Sequence, residues 1–110
     1  MLQKAAILAV VFKCVLFTDY IFTIGKRYSN DICSVDVVNE CISDKKFVLR
    51  DEEDHSKWLK FLGPDYVDKV FVWAKEAFPK SNLVINDYNL EIIPEKRQGL
   101  YNLVRCTSFI

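Results

Sequence analysis

Two apolar runs of this chain end in side chains that could do chemistry. Residues 35–40 (VDVVNE) end in an amide, Asn39, and a carboxylate, Glu40. Residues 86–89 (NDYN) bring amide, carboxylate and phenol groups into consecutive positions. Amides and carboxylates can each hold sugar hydroxyls through paired hydrogen bonds, so these groups suit recognition of a polyhydroxylated substrate.

The elements that must position these groups are two strands. An apolar run that ends in polar residues is typical of a buried parallel strand whose C-terminal end carries chemistry. Residues 32–39 and 83–85, rich in Val and Ile, are therefore predicted to be strands. Glu40 then lies at or just beyond the end of the first one.

Three helices are predicted around the strands. The first has an N-cap at Thr18-Asp19, the second is opened by Gly63-Pro64 and ended by Pro79, and the third starts at Pro94-Glu95. The second helix has one apolar face, at spacings of three and four, made of Val67, Val70, Phe71, Ala74, Ala77 and Phe78.

The order helix, strand, helix, strand, helix implies an α/β fold in which right-handed crossovers join parallel strands. Two strands about fifty residues apart fit a piece of a (β/α) barrel, although a complete barrel usually takes ~250 residues. The charged connection between them, residues 43–56, is predicted to be irregular. Its acidic run, residues 51–54, reads as a solvated loop, and His55 reads as a surface residue.

Composition bounds the class of protein. A chain of 110 residues forms one domain with a single modest core, and 51% hydrophobic residues argue against disorder. Fifteen basic and fifteen acidic side chains cancel, so there is no basic field for nucleic acid. The four cysteines lack any C-x-x-C or Cys/His cluster, so no metal is expected. Cys33 is expected to be a free thiol buried in the first strand.

The sequence allows two interpretations of the N-terminal segment. Residues 1–12 resemble the start of a secretory signal, but Lys13 interrupts the apolar run and no small-x-small cleavage site follows before Asp19. The run is shorter than the roughly 20 apolar residues that span a bilayer. A buried strand or helix is the alternative to a degenerate signal or anchor.

Several motifs in the same order resemble glycoside hydrolase family 10. They are residues 36–40 (DVVNE), 58–59 (WL), 62–67 (LGPDYV) and 86–91 (NDYNLE). That family consists mainly of endo-1,4-β-xylanases on a TIM barrel, and the similarity extends from about Tyr20 to Val104. It implies a partial TIM (β/α)8 barrel containing about the fourth and fifth strands.

The resemblance also implies roles for individual residues. Glu40 would be the general acid/base, protonating the glycosidic oxygen and later activating water. Asn39 would hydrogen-bond the sugar hydroxyl next to the reacting carbon. The leaving-group side of the cleft would be shaped by the remaining substrate-binding residues, Asn86, Tyr88, Asn89 and Glu91.

Each role has a structural alternative. Strict strand alternation would point Asn39 and Glu40 to opposite faces, so both reach a cleft only where the strand ends or bulges. Tyr88 could instead be a packing residue at the barrel rim, and Asp87 is expected to be structural. The two tryptophans, Trp58 and Trp73, are expected to pack in the fold rather than to stack on sugars.

The function implied by the resemblance is that of a retaining, xylan-degrading endo-1,4-β-xylanase, secreted and without a cofactor. Its partners would be xylan or xylo-oligosaccharides. A retaining glycosidase needs a second carboxylate as nucleophile, and the family takes it from the seventh strand, which has no counterpart here. Asp87 and Glu91, near the tip of the adjacent strand, are the candidates for a substitute. Attack must come from the face of the sugar opposite the leaving group, so neither is expected to serve. The chain is therefore expected to be inactive alone. The alternatives are a non-catalytic carbohydrate-binding or interaction remnant and a truncated gene product.

The expected organisation is a hydrophobic N-terminal segment (1–17), a partial barrel (18–105) and a tail unlike the family (106–110). Two barrel strands by themselves leave two open edges and apolar groups on both faces. Copies of the chain could therefore associate through those edges.

Overall fold

A computed structural model describes residues 2–107, with the helical backbone alone for residues 2–14. The elements in chain order are α1 (Leu2–Tyr28), β1 (Ser34–Asn39), a 3-10 turn (Glu52–Asp54), α2 (Trp58–Leu62), α3 (Tyr66–Ala77), β2 (Asn82–Asn86) and α4 (Pro94–Arg105). Met1, the side chains of the predicted N-terminal segment up to Cys14 and residues 108–110 of the predicted tail lie outside the described residues. Within the described part, no helix combines the length and the apolar character that crossing a membrane requires.

The two strands form a parallel sheet, which confirms the predicted topology. Asn39 pairs with Asn86, so the C-terminal ends of β1 and β2 lie side by side. The register shifts between Asp36 and Val38, where β1 has one more residue than its partner strand. Such a bulge bends the strand and re-aims the side chains that follow it.

The core lies between the sheet and α3. Five residues of α3 are buried, namely Tyr66, Val67, Val70, Ala74 and Ala77, and Val38 of β1 joins them together with Cys41, Ile42 and Leu62. The predicted apolar face is confirmed except at Phe71, which is only partly buried. The helix ends directly before Phe78, one residue ahead of the predicted stop at Pro79.

The N-cap predicted at Thr18-Asp19 is wrong, because α1 runs through it from Leu2 to Tyr28. No glycine or proline precedes Gly25, so nothing in the sequence interrupts the helix there. The Thr18 hydroxyl donates to the Val15 carbonyl one turn back, at 2.9 Å, instead of capping a new helix.

Two further expectations are corrected. Cys33 is exposed, because β1 begins only at Ser34, and the buried thiol is Cys41; Cys33, Cys41 and Cys106, the described cysteines, are free. The acidic run is solvated, as predicted, since Glu52 and Glu53 are exposed, but within the connection it forms a 3-10 turn. In it the carboxylate of Asp51 accepts from the Glu53 amide at 3.0 Å, and the carboxylate of Asp54 accepts from the Asp51 amide at 3.4 Å.

Candidate active site

Glu40 and Asn39 occupy the C-terminal end of β1, as the sequence predicts. Glu40 has a φ of 54°, in the left-handed region that few non-glycine residues adopt. Its amide still donates to the Asn86 carbonyl at 2.8 Å, which ties it to β2. The strand ends at Asn39, and the left-handed turn at Glu40 breaks the alternation directly after it. Both residues border one cavity of about 760 Å³.

The wall of that cavity also contains two residues that the sequence assigned to other roles. His55 is exposed, as predicted, but it borders the same cavity as Glu40. Trp58 borders it too and is 53% exposed. The Trp58 ring packs edge-on against Phe17, with 5.7 Å between ring centroids, and Phe17 also contacts Trp73, which lies against the core. The packing role is therefore confirmed for Trp73 and only in part for Trp58.

Asn86 is joined directly to Asn39. Its Nδ2 group donates to Oδ1 of Asn39 at 2.8 Å, between residues that face each other in the strand register. This bond uses the amide oxygen of Asn39, so the Nδ2 group of Asn39 points away from Asn86. Asn86 itself is not part of the cavity wall around Glu40.

Tyr88 lies outside that cavity, in a network that reaches the Glu40 carbonyl through Arg50, a residue that borders the cavity. Its hydroxyl donates to Oδ2 of Asp44 and accepts from the guanidinium of Arg50 at 2.8 Å. The Nε group of Arg50 donates to the Glu40 carbonyl at 2.8 Å. Sequence reasoning missed Arg50 and Asp44, since both lie in a charged connection with no pattern that indicates their partners.

Lys96 is the centre of this network and was also missed. Its side chain is 0% exposed, and its ammonium lies 2.8 Å from Asp44, 3.0 Å from Asp87 and 3.4 Å from the centroid of the Tyr88 ring. One signal was available, because Lys96 lies in the first turn of α4, where the helix dipole disfavours a cation. A lysine at that position needs a compensating anion.

The pKa values of the network follow from these contacts. Burial by itself would lower the pKa of the Lys96 ammonium, but its hydrogen bonds to Asp44 and Asp87 outweigh burial and raise it. The hydrogen bonds from Lys96 and Tyr88 hold the pKa of the Asp44 carboxyl well below its usual range. Both groups are therefore charged at neutral pH.

Asp87 has the structural role that the sequence predicts. Its Oδ2 atom accepts from the Ile42 amide at 3.0 Å, and its Oδ1 atom accepts from the Tyr88 amide at 2.9 Å and pairs with Lys96. Its side chain is 0% exposed. A buried carboxylate with both oxygens engaged cannot attack a sugar, which excludes Asp87 as a substitute nucleophile.

Asn89 and Glu91, the other two predicted substrate-binding residues, lie in the turn after β2. Asn89 has a φ of 59°, and its carbonyl accepts from the Ile93 amide at 3.0 Å, so it reverses the chain ahead of α4. Glu91 is exposed. Neither residue borders the cavity that contains Glu40, and their contact with a substrate stays a prediction.

Comparison with known proteins connects this geometry to one family. The model of glycosyl hydrolase family 10 matches residues 8–108. Endo-1,4-beta-xylanase B of Paenibacillus barcinonensis is 47% identical over 87 residues, which are 78% of this chain and 25% of that protein. The xylanase B of Thermotoga neapolitana is 34% identical over 90 residues, 82% of this chain and 25% of its own length.

Solved structures agree. Native xylanase 10B from Thermotoga maritima superposes with a TM-score of 0.71 at 39% identity, covering 80% of this chain and 26% of that one. Xylanase 10B from Thermotoga petrophila RKU-1, solved in complex with xylobiose, gives 0.71 at 38% identity, with 80% and 25% covered. The described fold is thus part of a TIM barrel, and the chain spans about a quarter of the length of these relatives.

Proposed function

This chain belongs to glycosyl hydrolase family 10, and from that premise we propose that it carries the acid/base half of a retaining endo-1,4-β-xylanase site. Glu40 is the acid/base. In the first step its carboxyl proton passes to the glycosidic oxygen as the bond to the sugar breaks. In the second step its carboxylate takes a proton from the water that releases the sugar from the enzyme.

The observation that supports this proposal best is the shared cavity wall of Asn39 and Glu40 at the end of β1. The free Nδ2 group of Asn39 is suited to a sugar hydroxyl, and such a contact aids the rate if it strengthens in the transition state. The nucleophile must stand about 5–5.5 Å from the acid/base. Asp87 is buried and fully engaged, and Glu91 does not border the cavity that contains Glu40. We therefore propose that neither carboxylate is the nucleophile, and expect no hydrolysis by this chain alone.

A chimera tests the acid/base assignment. Residues 18–105 replace the matching segment of the Paenibacillus barcinonensis xylanase B, a relative that is 47% identical. Glu40→Gln in the chimera should lower xylan hydrolysis by about 10²–10⁴-fold, the usual contribution of a general acid. An aryl xylobioside with a good leaving group needs no protonation, so its first step should be affected far less.

Glu76→Gln is the matched control, since Glu76 is an exposed residue of α3. It removes the same charge from the opposite side of the core and should leave both rates unchanged. If Glu40→Gln keeps full xylanase activity in a folded chimera, the proposal is wrong.

A second function is favoured by the contacts of Asp87. Because both of its oxygens are engaged, it cannot act as a nucleophile, while amides and a tyrosine remain at the strand ends. This second function is non-catalytic binding of xylo-oligosaccharides. The 110-residue chain should then bind xylotriose saturably without turnover, and Asn39→Ala or Tyr88→Ala should weaken binding. Absence of binding at millimolar xylotriose would exclude it. Secretion, implied by the family, stays a prediction.

A further inference from the structure

We propose that Lys96 is a positioning residue for this site, because one buried ammonium holds the backbone directly after Glu40 and the ring of Tyr88 at the same time. The proposal rests on the proposed function in one respect, namely that Glu40 is the acid/base. Lys96 itself is placed away from the cavity and touches neither Glu40 nor Asn39 through any of its three contacts.

The charge of Lys96 is balanced inside the protein. Its side chain has no exposed surface, so the ammonium is balanced by protein groups rather than by water. Those groups are the carboxylates of Asp44 and Asp87, at 2.8 and 3.0 Å, and the face of the Tyr88 ring at 3.4 Å. A neutral side chain at position 96 would leave two carboxylates without their shared cation.

The two carboxylates connect the ammonium to the backbone directly after Glu40. Through Asp87, the ammonium is connected to the Ile42 amide at 3.0 Å. Through Asp44, it is connected to Arg50, whose Nε group donates to the Glu40 carbonyl at 2.8 Å. The two branches therefore end on consecutive peptide groups, one on each side of Cys41.

These peptide groups support the backbone conformation of Glu40. Glu40 has a left-handed backbone with a φ of 54°, a conformation that persists in a non-glycine residue only where its surroundings enforce it. Two hydrogen-bonded branches immediately after it supply that enforcement. A displacement of about 1 Å at a reacting group can cost about a hundredfold in rate, so the anchoring of this segment matters beyond stability.

The test is hydrogen exchange by NMR on the 110-residue chain carrying Lys96→Met, which keeps the bulk and removes the charge. Exchange at the Ile42 amide and at Arg50 Nε should accelerate by at least about tenfold, as expected when a hydrogen bond to a charged group is weakened. The Asn82 amide, bonded to the Cys33 carbonyl at the far end of the sheet, should keep its rate. Equal acceleration at all three groups, or no change at Ile42 and Arg50, would overturn the proposal.

Two further variants keep the test decisive. Asp44→Asn cuts one branch at a residue whose side chain is 42% exposed, and it decides the question if Lys96→Met does not fold. It should accelerate exchange at Arg50 Nε and leave Ile42 protected; equal effects on both overturn the proposal. Lys60→Met, which breaks only an exposed pair with Glu52, is the control and should change neither.

The exchange rates test the anchoring by Lys96 whether or not Glu40 is the acid/base, an assignment that the chimera tests separately. Xylotriose binding relates the anchoring to the second function, non-catalytic binding. If the unmodified chain binds xylotriose, Lys96→Met should raise the dissociation constant by about tenfold, because Tyr88 and the Glu40 segment lose their anchor. If the unmodified chain does not bind, the binding function fails, and the exchange rates alone decide the role of Lys96. An unchanged dissociation constant in a chain that does bind counts against the positioning role.

Discussion

The side-chain amide of Asn86 donates to Oδ1 of Asn39 across the two parallel strands, and 2.8 Å separates the two atoms. These residues are 47 positions apart in the sequence, and each comes from one of the two polar strand ends. The bond fixes which end of the Asn39 amide is available to a ligand. Asn86 can therefore influence sugar recognition without bordering the cavity around Glu40.

Replacement of Asn86 by alanine tests this influence. Without its partner the Asn39 amide can rotate, so we expect the affinity of the chain for xylotriose to fall by about three- to tenfold, the value of one hydrogen bond. The measurement is an NMR titration, and Asn102→Ala is the control, because Asn102 bonds Gln98 on the exposed side of α4. An Asn86→Ala chain that binds as tightly as the unmodified chain would show that the bond has no role in recognition.

Asp87→Asn should destabilise the fold. It removes a charge from a pair in which both side chains are 0% exposed, and breaking a buried pair from one side costs about 3 kcal/mol. Urea unfolding measures the loss. Glu52→Gln, which breaks an exposed pair with Lys60, should cost less than about 1 kcal/mol. Equal costs for the two variants would mean that the Lys96 network contributes little to stability.

The sequence predicts the elements that depend on local pattern. The Val-rich run of β1, the three-and-four spacing of α3 and the proline at the start of α4 each specify structure over a few residues, and all three are found. The pair of strands is parallel because the intervening α2 and α3 provide a crossover long enough to bring β2 alongside β1 in the same direction.

What the sequence does not predict depends on distant partners. The ammonium of Lys96 meets a carboxylate 52 positions away, and no spacing rule relates the two residues. Cys33 is a second case, because β1 begins at Ser34, two residues later than predicted, and leaves Cys33 outside the strand and exposed. The site residues are predicted from the family motifs. Those motifs do not indicate which distant residues hold the site residues in place.

Gly99→Ala should destabilise the chain although alanine is the better helix former by about 1 kcal/mol. A Cβ atom at position 99 in α4 would lie 2.1 Å from the carbonyl oxygen of Phe47, a backbone atom that cannot move away alone. We expect a net loss of about 1–3 kcal/mol in thermal unfolding, as for other overpacked sites. Gln98→Ala, next to it on the exposed surface, should be close to neutral, and a stabilising Gly99→Ala would contradict the close approach of α4 to Phe47.

Self-association through the strand edges is a further expectation. Each strand has a single partner in the described sheet, so one edge of β1 and one of β2 carry backbone groups without a sheet partner. Mass action then predicts a sedimentation coefficient that rises over about a hundredfold range of chain concentration. The Asn82 amide and the Asn86 carbonyl bond β1, so by alternation the Leu83 amide points to the open edge of β2. Leu83→Pro removes that donor and should reduce association if the edge is used. One concentration-independent species of monomer mass would rule association out.

Cys41 should make stability depend on pH in the alkaline range. Burial, with a smaller contribution from the Asp87 carboxylate, raises the pKa of the Cys41 thiol from 9.0 to about 11. The folded chain therefore keeps a proton that the unfolded chain releases, so stability is intact below pH 9 and is lost as the pH rises towards 11. By the upper end of that window the loss should be about 2 kcal/mol.

The measurement is urea unfolding at several pH values, with Cys41→Ala as the comparison. Tyr66, whose pKa is raised mainly by burial and secondarily by Cys41, is present in both chains. The burial contribution therefore cancels in the comparison, and what remains belongs to Cys41. The difference in unfolding free energy between the two chains should therefore shrink as the pH rises through the window. Parallel stability curves would mean that the thiol ionises as readily in the folded chain as in the unfolded one, and that the pocket around Cys41 is open to water.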